Sequence, residues 1–396
     1  MYHEKSILSL SAALKKHSRA IGDASSSYQQ AVYDVTNGMC TVSKSALPNL
    51  NNKPANWDDL TKAYTNAGTD AIAWTNTVYV QLTSAPTSVM SFNVFIDAYL
   101  QGASVLCAKL IKHPRDKADA GALVNELNNA LAQFNLVTIV LSGLVATIKV
   151  YGASTLPDAV TQLATVAGDS YTDVQFDAQQ VADFQSQINN LKSDIATLQT
   201  EIALGTVAIA AGLVGAAIAL PTLNPIGGVL AVVSIAAGAA VLGIDSELLV
   251  KDQNELNNLC DEMNSYSQDE AQLQTLTANY NQLSAQTTVL ATSVDSISAA
   301  WNAVLSDVTL AINDINAAIT EASNTDALPD YVVIQADIND ALAEWNLTYN
   351  DSAALAVNMS ASTNSVSIGM SSAQVAATAT TNTVDIVTYV NNSFSH

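Results

Sequence analysis

Residues 202–244 carry no charged side chain, in a chain of 396 residues that holds 14 basic and 36 acidic ones elsewhere. The run divides into two halves of nineteen residues each, 202–220 and 226–244. As helix, each half would be about 28 Å long at 1.5 Å per residue, which matches a bilayer hydrocarbon core of about 30 Å. Between the halves stand Pro221, Thr222, Leu223, Asn224 and Pro225, a turn by composition. The apolar contribution of the first half comes from Ile202, Leu204, Val207, Ile209, Leu213, Val214, Ile218 and Leu220. That of the second comes from Ile226, Val229, Leu230, Val232, Val233, Ile235, Val241, Leu242 and Ile244. Small residues recur four apart: Ala211 with Gly215, Gly212 with Ala216, Ser234 with Gly238, Ala239 with Gly243. Such spacing lets helices approach closely in lipid. The expectation is a hairpin with two membrane-spanning arms and an uncharged tip.

A resident membrane hairpin would carry Lys or Arg near its cytoplasmic ends. Here the flanks are Glu201, Asp245 and Glu247, with Lys251 the nearest base. The arms hold eight and nine Leu, Ile or Val residues. At about 0.3–0.6 kcal/mol each, insertion gains about 2–5 kcal/mol per arm. Burial inside a soluble form can compete with a gain of that size. Seven glycines in the run, with Val and Ile, also permit a strand or a compact tongue before insertion.

The flanks of the run are patterned as helix. Val181, Phe184, Ile188, Leu191, Ile195, Leu198 and Ile202 alternate steps of three and four, a three-heptad coiled-coil seam. Leu273, Leu276, Tyr280, Leu283, Thr287, Leu290, Val294, Ile297, Trp301 and Val304 keep the same alternation, with no Gly or Pro between Gly243 and Pro329. The spacing stutters near 265–270, where a break is expected. Upstream, the pattern predicts helices over 3–46, from Trp57 to about Ser84 with Asn56 as N-cap, over 88–112 after Pro86, and over 119–151 ending near Gly152. The uncharged 136–148 stretch of the last of these is too short for a comfortable span and is expected to be a buried core helix. Residues 330–347 and 382–392 are helical, with weakly patterned Ser/Thr/Ala-rich sequence between. The fold class is all-α, an elongated bundle of long antiparallel helices. Residues 1–200 and 246–396 form a helical tail, with 201–245 as a hydrophobic head between two coiled-coil arms.

A net charge of −22 excludes nucleic acid as a partner, because that binding needs Lys and Arg on phosphates. It also excludes electrostatic docking on anionic lipid. Cys40, Cys107 and Cys260 are odd in number and far apart, and read as buried free thiols, with one bridge such as Cys40 to Cys107 left open. His3, His17, His113 and His396 share no metal-ligand spacing, and His17 reads as a bundle-edge residue. Trp57, Trp74, Trp301 and Trp345 read as core. No GxSxG, P-loop or dinucleotide fingerprint occurs, so neither enzyme, metal nor cofactor is expected. The N-terminus is a poor signal peptide, with Lys15, Lys16 and Arg19 where a cleavage site should lie. Secretion would then need another route, or a leader outside these residues.

Long helices on both sides of a central hydrophobic hairpin resemble the cytolysin A family of α-helical pore-forming toxins. That family includes the haemolysin BL and non-haemolytic enterotoxin components and the tripartite α-toxins of Gram-negative bacteria. The resemblance covers nearly the whole chain in layout, and rests on architecture rather than a short motif. It implies a secreted soluble form whose head refolds into the target bilayer and assembles into a homo-oligomeric ring. The two spans resemble the B component of a tripartite system. The arms offer almost no polar residues for a lumen, so an amphipathic lumen-lining partner subunit is expected. Two other readings share the layout: a type III secretion translocator, and a non-lytic helical interaction protein with a permanently buried hairpin.

Overall fold

The computed structural model describes residues 9–172, 175–203, 216–218, 222–224, 228–230, 233–235, 246–324, 328–353, 360–362, 365–366 and 382–394. Helix is the dominant structure: α1 (Leu10–Lys44), α2 (Trp57–Trp74), α3 (Val80–Lys112), α4 (Lys117–Val150), α5 (Leu156–Gly168), α6 (Ala178–Ala203), α7 (Ser246–Glu262), α8 (Ser265–Asn324), α9 (Tyr331–Ala353) and α10 (Ile386–Phe394). Seven strands of two or three residues accompany them: β1 (Ala216–Ile218), β2 (Thr222–Asn224), β3 (Gly228–Leu230), β4 (Val233–Ile235), β5 (Ser360–Ser362), β6 (Ser365–Val366) and β7 (Thr383–Asp385). The chain forms two compact units, divided within α1, after the first residue of α3, and within α4 and α8.

The first unit takes residues 1–29, 81–147 and 292–356. Its core is built from stripes of three- and four-residue spacing, which place apolar side chains on one face of each helix. Leu10, Leu14 and Ile21 of α1 are buried, as are Ile96, Leu100, Ala103, Cys107 and Leu110 of α3. So are Leu123, Leu127, Phe134, Val137, Leu141 and Leu144 of α4, and Trp301, Val304, Val308, Ile312, Ile315 and Ile319 of α8. Trp345 of α9 stacks edge-on against Phe134 at 4.8 Å and Trp301 at 5.7 Å between centroids.

Carboxylates fix α1 within this unit. Asp337 of α9 accepts from the Leu10 and Ser11 N–H groups at 2.7 and 3.0 Å, and from the Ser9 and Ser11 hydroxyls. It thereby satisfies N-terminal donors that a helix cannot satisfy alone. Asp307 of α8 lies 2.8 Å from both Lys16 Nζ and His17 Nε2. These hydrogen bonds, that of Lys16 first, hold the Asp307 carboxyl below the usual carboxylate range. His17 therefore sits at the bundle edge as its spacing predicts.

Pro86 does not end a helix: α3 runs through it without interruption, contrary to the sequence expectation. A proline inside a helix leaves the carbonyl four residues back without its donor. That carbonyl belongs to Leu82, and the buried Tyr28 hydroxyl of α1 donates to it at 3.1 Å. Burial pushes the Tyr28 hydroxyl far above its ordinary pKa, so it remains a donor. Tyr28→Phe is expected to leave the Leu82 carbonyl unsatisfied and to cost about 1–3 kcal/mol. Urea unfolding would measure this, and a loss under about 0.5 kcal/mol would contradict the assignment.

The 136–148 stretch is not a wholly buried helix. Phe134, Val137, Leu141 and Ile148 are buried, but Leu136 and Ile139 are exposed. The full α4 and the Ser91–Lys112 part of α3 are both long and apolar enough to cross a membrane, with only 33% and 28% of their most apolar stretches buried. Val94, Phe95 and Val105 on α3 are exposed as well.

The second unit takes residues 30–80, 148–291 and 357–396. There α2 packs on α5, and α6 on α7. The α2 face consists of Leu60, Ala63, Ala67, Gly68, Ala71 and Trp74, small enough for close approach to Leu156, Ala159, Val160 and Leu163 of α5. A π turn, Thr75–Tyr79, joins α2 to α3, and a second, Tyr151–Thr155, joins α4 to α5. The helix therefore does not stop near Gly152. Ser154 and Thr155 hydroxyls both reach the Val150 carbonyl, and Leu156 N–H bonds Tyr151 five residues back. The ladder has already widened where Pro157 enters without an N–H.

Asn56 precedes α2 as expected, but its side chain makes no cap. Its amide donates to the Val166 carbonyl at 2.9 Å, a tertiary bond that wins over the local one. The loop before it is held by Asp269 of α8, fully buried, which accepts from the Asn51 and Asn52 N–H groups at 2.8 and 2.7 Å. Trp74, Trp301 and Trp345 are core, whereas Trp57 is half-buried under the Lys53 ammonium at 5.0 Å. All three cysteines are buried thiols rather than halves of a disulfide. Burial pushes the Cys107 thiol up to about 12, and burial with the nearby Asp261 pushes Cys260 to about 11, so both stay protonated and inert.

Candidate functional site

The uncharged run is entered from α6 and left into α7, and these two helices pack together. Val181, Phe184 and Ile188 of the α6 seam are buried, as are Leu256 and Cys260 of α7. The base of this pair is tied by side chains to backbone groups. Asp177 caps α6 through the Gln179 and Gln180 N–H groups at 2.9 and 3.2 Å. The Asp177 N–H donates to the Ser267 hydroxyl of α8 at 2.8 Å. Gln180 reaches the Glu262 carbonyl, and Gln185 the Ala271 carbonyl.

The expected break near 265–270 falls at residues 263–264. Asn264 caps α8 by accepting from Ser267 N–H at 2.9 Å, and the Gln268 amide satisfies the Cys260 carbonyl at the end of α7. Both helix ends at the stutter thus find side-chain partners.

Within the run, the described residues beyond Ala203 are strands paired as an antiparallel hairpin. Ala216, Ala217 and Ile218 of β1 stand opposite Ile235, Ser234 and Val233 of β4. Thr222, Leu223 and Asn224 of β2 stand opposite Leu230, Val229 and Gly228 of β3. Each pairing nests inside the last, so the chain reverses between Asn224 and Gly228. Thr222, Leu223 and Asn224, expected in the tip of the inserted hairpin, lie in β2 in this form, while Pro221 and Pro225 lie outside the described residues. Thr222, Leu223, Val229 and Leu230 are residue types that suit an extended, paired backbone. β3 lies against α7.

Ile202 is in the last turn of α6. Of the other singled-out residues, Ile218, Val229, Leu230, Val233, Ser234 and Ile235 lie in the strands. Leu204, Val207, Ile209, Ala211, Gly212, Leu213, Val214, Gly215, Leu220, Pro221, Pro225, Ile226, Val232, Gly238, Val241, Leu242, Gly243 and Ile244 lie outside the described residues.

Sequence reasoning missed what covers the hairpin edge. β4 is the middle strand of a three-stranded sheet, β1-β4-β6. Val366 stands opposite Val233, and Ser365 opposite Ser234, both antiparallel. The Ser/Thr-rich composition of 354–382 hid this strand; alternation of Ser with Val at 365–368 is the only local signal.

No known family model matches the sequence, and no curated protein matches it. Solved structures do resemble it in fold. Motility associated killing factor B from Vibrio cholerae superposes with a TM-score of 0.64 at 13% identity, over 87% of this chain and 93% of that one. The HblL1 toxin component of Bacillus cereus gives 0.55 at 14% identity, over 86% and 96%. Soluble AhlB of the tripartite α-pore-forming toxin of Aeromonas hydrophila gives 0.51 at 17% identity, over 86% and 99%. The chain is built on the all-α fold that these three proteins share.

Proposed function

We propose that this chain is a secreted component of an α-helical pore-forming toxin, soluble at first and then inserted in a target bilayer. The observation that carries the reading is the uncharged run 202–244, whose described residues 216–218, 222–224, 228–230 and 233–235 pair as antiparallel strands between two packed helices. The toxin-component fold supports the same reading.

In lipid every backbone polar group must be bonded within the segment. Short strands of a narrow hairpin leave edges unpaired, so insertion requires each arm to become helix. Small residues at 211, 212, 215, 234, 238 and 243 then let the two arms pack. The uncharged tip crosses without dehydrating an ion.

A homo-oligomer with further toxin subunits completes the pore. The arms are nearly all apolar, so an amphipathic partner lines the lumen. Exposed Val94, Phe95, Val105, Ile139, Val332 and Val333 of the first unit provide apolar surface for packing between subunits.

Flotation with zwitterionic liposomes tests the core of this reading. The full chain is expected to float and a chain lacking 202–244 to stay in solution. Equal flotation of the two would place membrane binding elsewhere. Size-exclusion chromatography after detergent extraction is expected to show the bound chain as an oligomer.

A further inference from the structure

We infer that the C-terminal segment is an internal strap that holds the apolar hairpin in its soluble form, and that undocking of α10 from α2 releases it. The inference builds on the reading of 202–244 as the membrane-inserting segment.

The hairpin is not closed by its own strands. β4 has β1 on one side and β6 on the other, and β6 comes from about 130 residues later in the chain. An uncovered β4 edge would offer free N–H and C=O groups, the usual template for pairing with another chain. β6 covers that edge.

β6 spans only two residues, too few to hold the edge alone. Its hold comes from what lies on either side of it in sequence. β5 and β7 pair antiparallel, Ser360 opposite Asp385 and Ser362 opposite Thr383, and so close residues 363–382 into a loop that contains β6. Asp385, the last residue of β7, is followed directly by α10. The base of the loop therefore moves with α10.

α10 is anchored on α2 and the π turn after it. Ile386, Tyr389 and Val390 are buried. The Phe394 ring lies over Gly68, where an added Cβ would stand 3.3 Å from the ring. Asn391 and Asn76 exchange two side-chain hydrogen bonds at 3.2 and 2.9 Å. Asp385 caps the first turn through the Thr388 N–H and hydroxyl at 2.9 and 2.6 Å. The anchor is nine residues long with three buried side chains, and elements with few buried apolar contacts open more readily than a core. The strap is thus a weak clasp on the hairpin, tied through the β5-β7 pairing to a small apolar anchor.

Two variants test this. In Phe394→Ala the anchor is weakened. In the double variant Ser234→Cys with Ser365→Cys, two residues directly opposite in register can form a disulfide that locks the clasp. Hydrogen exchange at Val233, Ser234 and Ile235 is read first, without lipid. Phe394→Ala is expected to speed it at least tenfold, and the oxidised double variant to slow it below the unmodified chain until a reductant is added. An unchanged rate in Phe394→Ala overturns the strap. Liposome flotation is read second, and the oxidised double variant is expected to bind at least tenfold less than its reduced form. Equal binding in both redox states overturns the strap and leaves membrane insertion standing. Binding by neither form, nor by the unmodified chain, overturns insertion, and the exchange rates then decide the strap by themselves.

Discussion

Gly212→Asp or Ala236→Asp is expected to lower membrane insertion at least tenfold while the chain stays soluble and helical. Each arm gains about 2–5 kcal/mol from its Leu, Ile and Val residues on entering a bilayer as helix. An aspartate near the middle of such a helix costs about 2.5–3.5 kcal/mol, which removes from about half to all of that gain. At about 1.4 kcal/mol per factor of ten, the loss is easily seen in a flotation or dye-release assay. Gly212 and Ala236 sit near the centres of 202–220 and 226–244 respectively. Gly212→Ala and Ala236→Ser are the controls, and should insert as the unmodified chain does. Circular dichroism and size-exclusion chromatography establish that the aspartate variants remain folded. Normal dye release by both aspartate variants would remove 202–244 from the membrane step.

Trp345→Ala is expected to have the largest effect on stability. Trp345 is 1% exposed and lies between Phe134 of α4 and Trp301 of α8, edge-on to both. Truncation leaves a cavity the size of an indole among three helices that cannot all collapse into it, at a cost of about 3–5 kcal/mol. The two edge-to-face pairs add about 0.5–1.5 kcal/mol each. The indole N–H has no hydrogen-bond partner among the described residues. Trp345→Phe therefore forfeits volume but no polar contact, and should cost less than half as much. Urea unfolding followed by Trp fluorescence and by far-ultraviolet dichroism measures both. A loss under about 1 kcal/mol for the alanine variant would mean that the aromatic cluster is not the keystone of the first unit.

Several features were open to local reading. The seam from Val181 to Ile188 and the longer one through Leu276, Leu283, Leu290 and Trp301 are buried as their spacing predicts. Their signal repeats every three or four residues over many turns, so a single misplaced residue does not erase it. His113-Pro114 ends α3, and Trp57 opens α2, again from local chemistry. The misreadings share one cause. Pro86 and Gly152 were expected to stop helices, and Asn56 to cap one. Each outcome was reversed by a partner distant in sequence or by a slipped hydrogen-bond ladder: the Tyr28 hydroxyl for Leu82, the π turn before Pro157, and the Val166 carbonyl for Asn56.

The sequence by itself determined the long helices, the strongly negative net charge, and the place and length of the uncharged run. These follow from side-chain period and charge, properties that each short segment carries alone. The tertiary structure alone decided which described residues of the run pair as strands, that Thr222–Asn224 stand opposite Gly228–Leu230, and that β6 pairs with β4 while α10 packs on α2. Strand pairing joins residues far apart through backbone groups that every residue possesses. Two or three residues of such pairing leave almost no mark on composition or period.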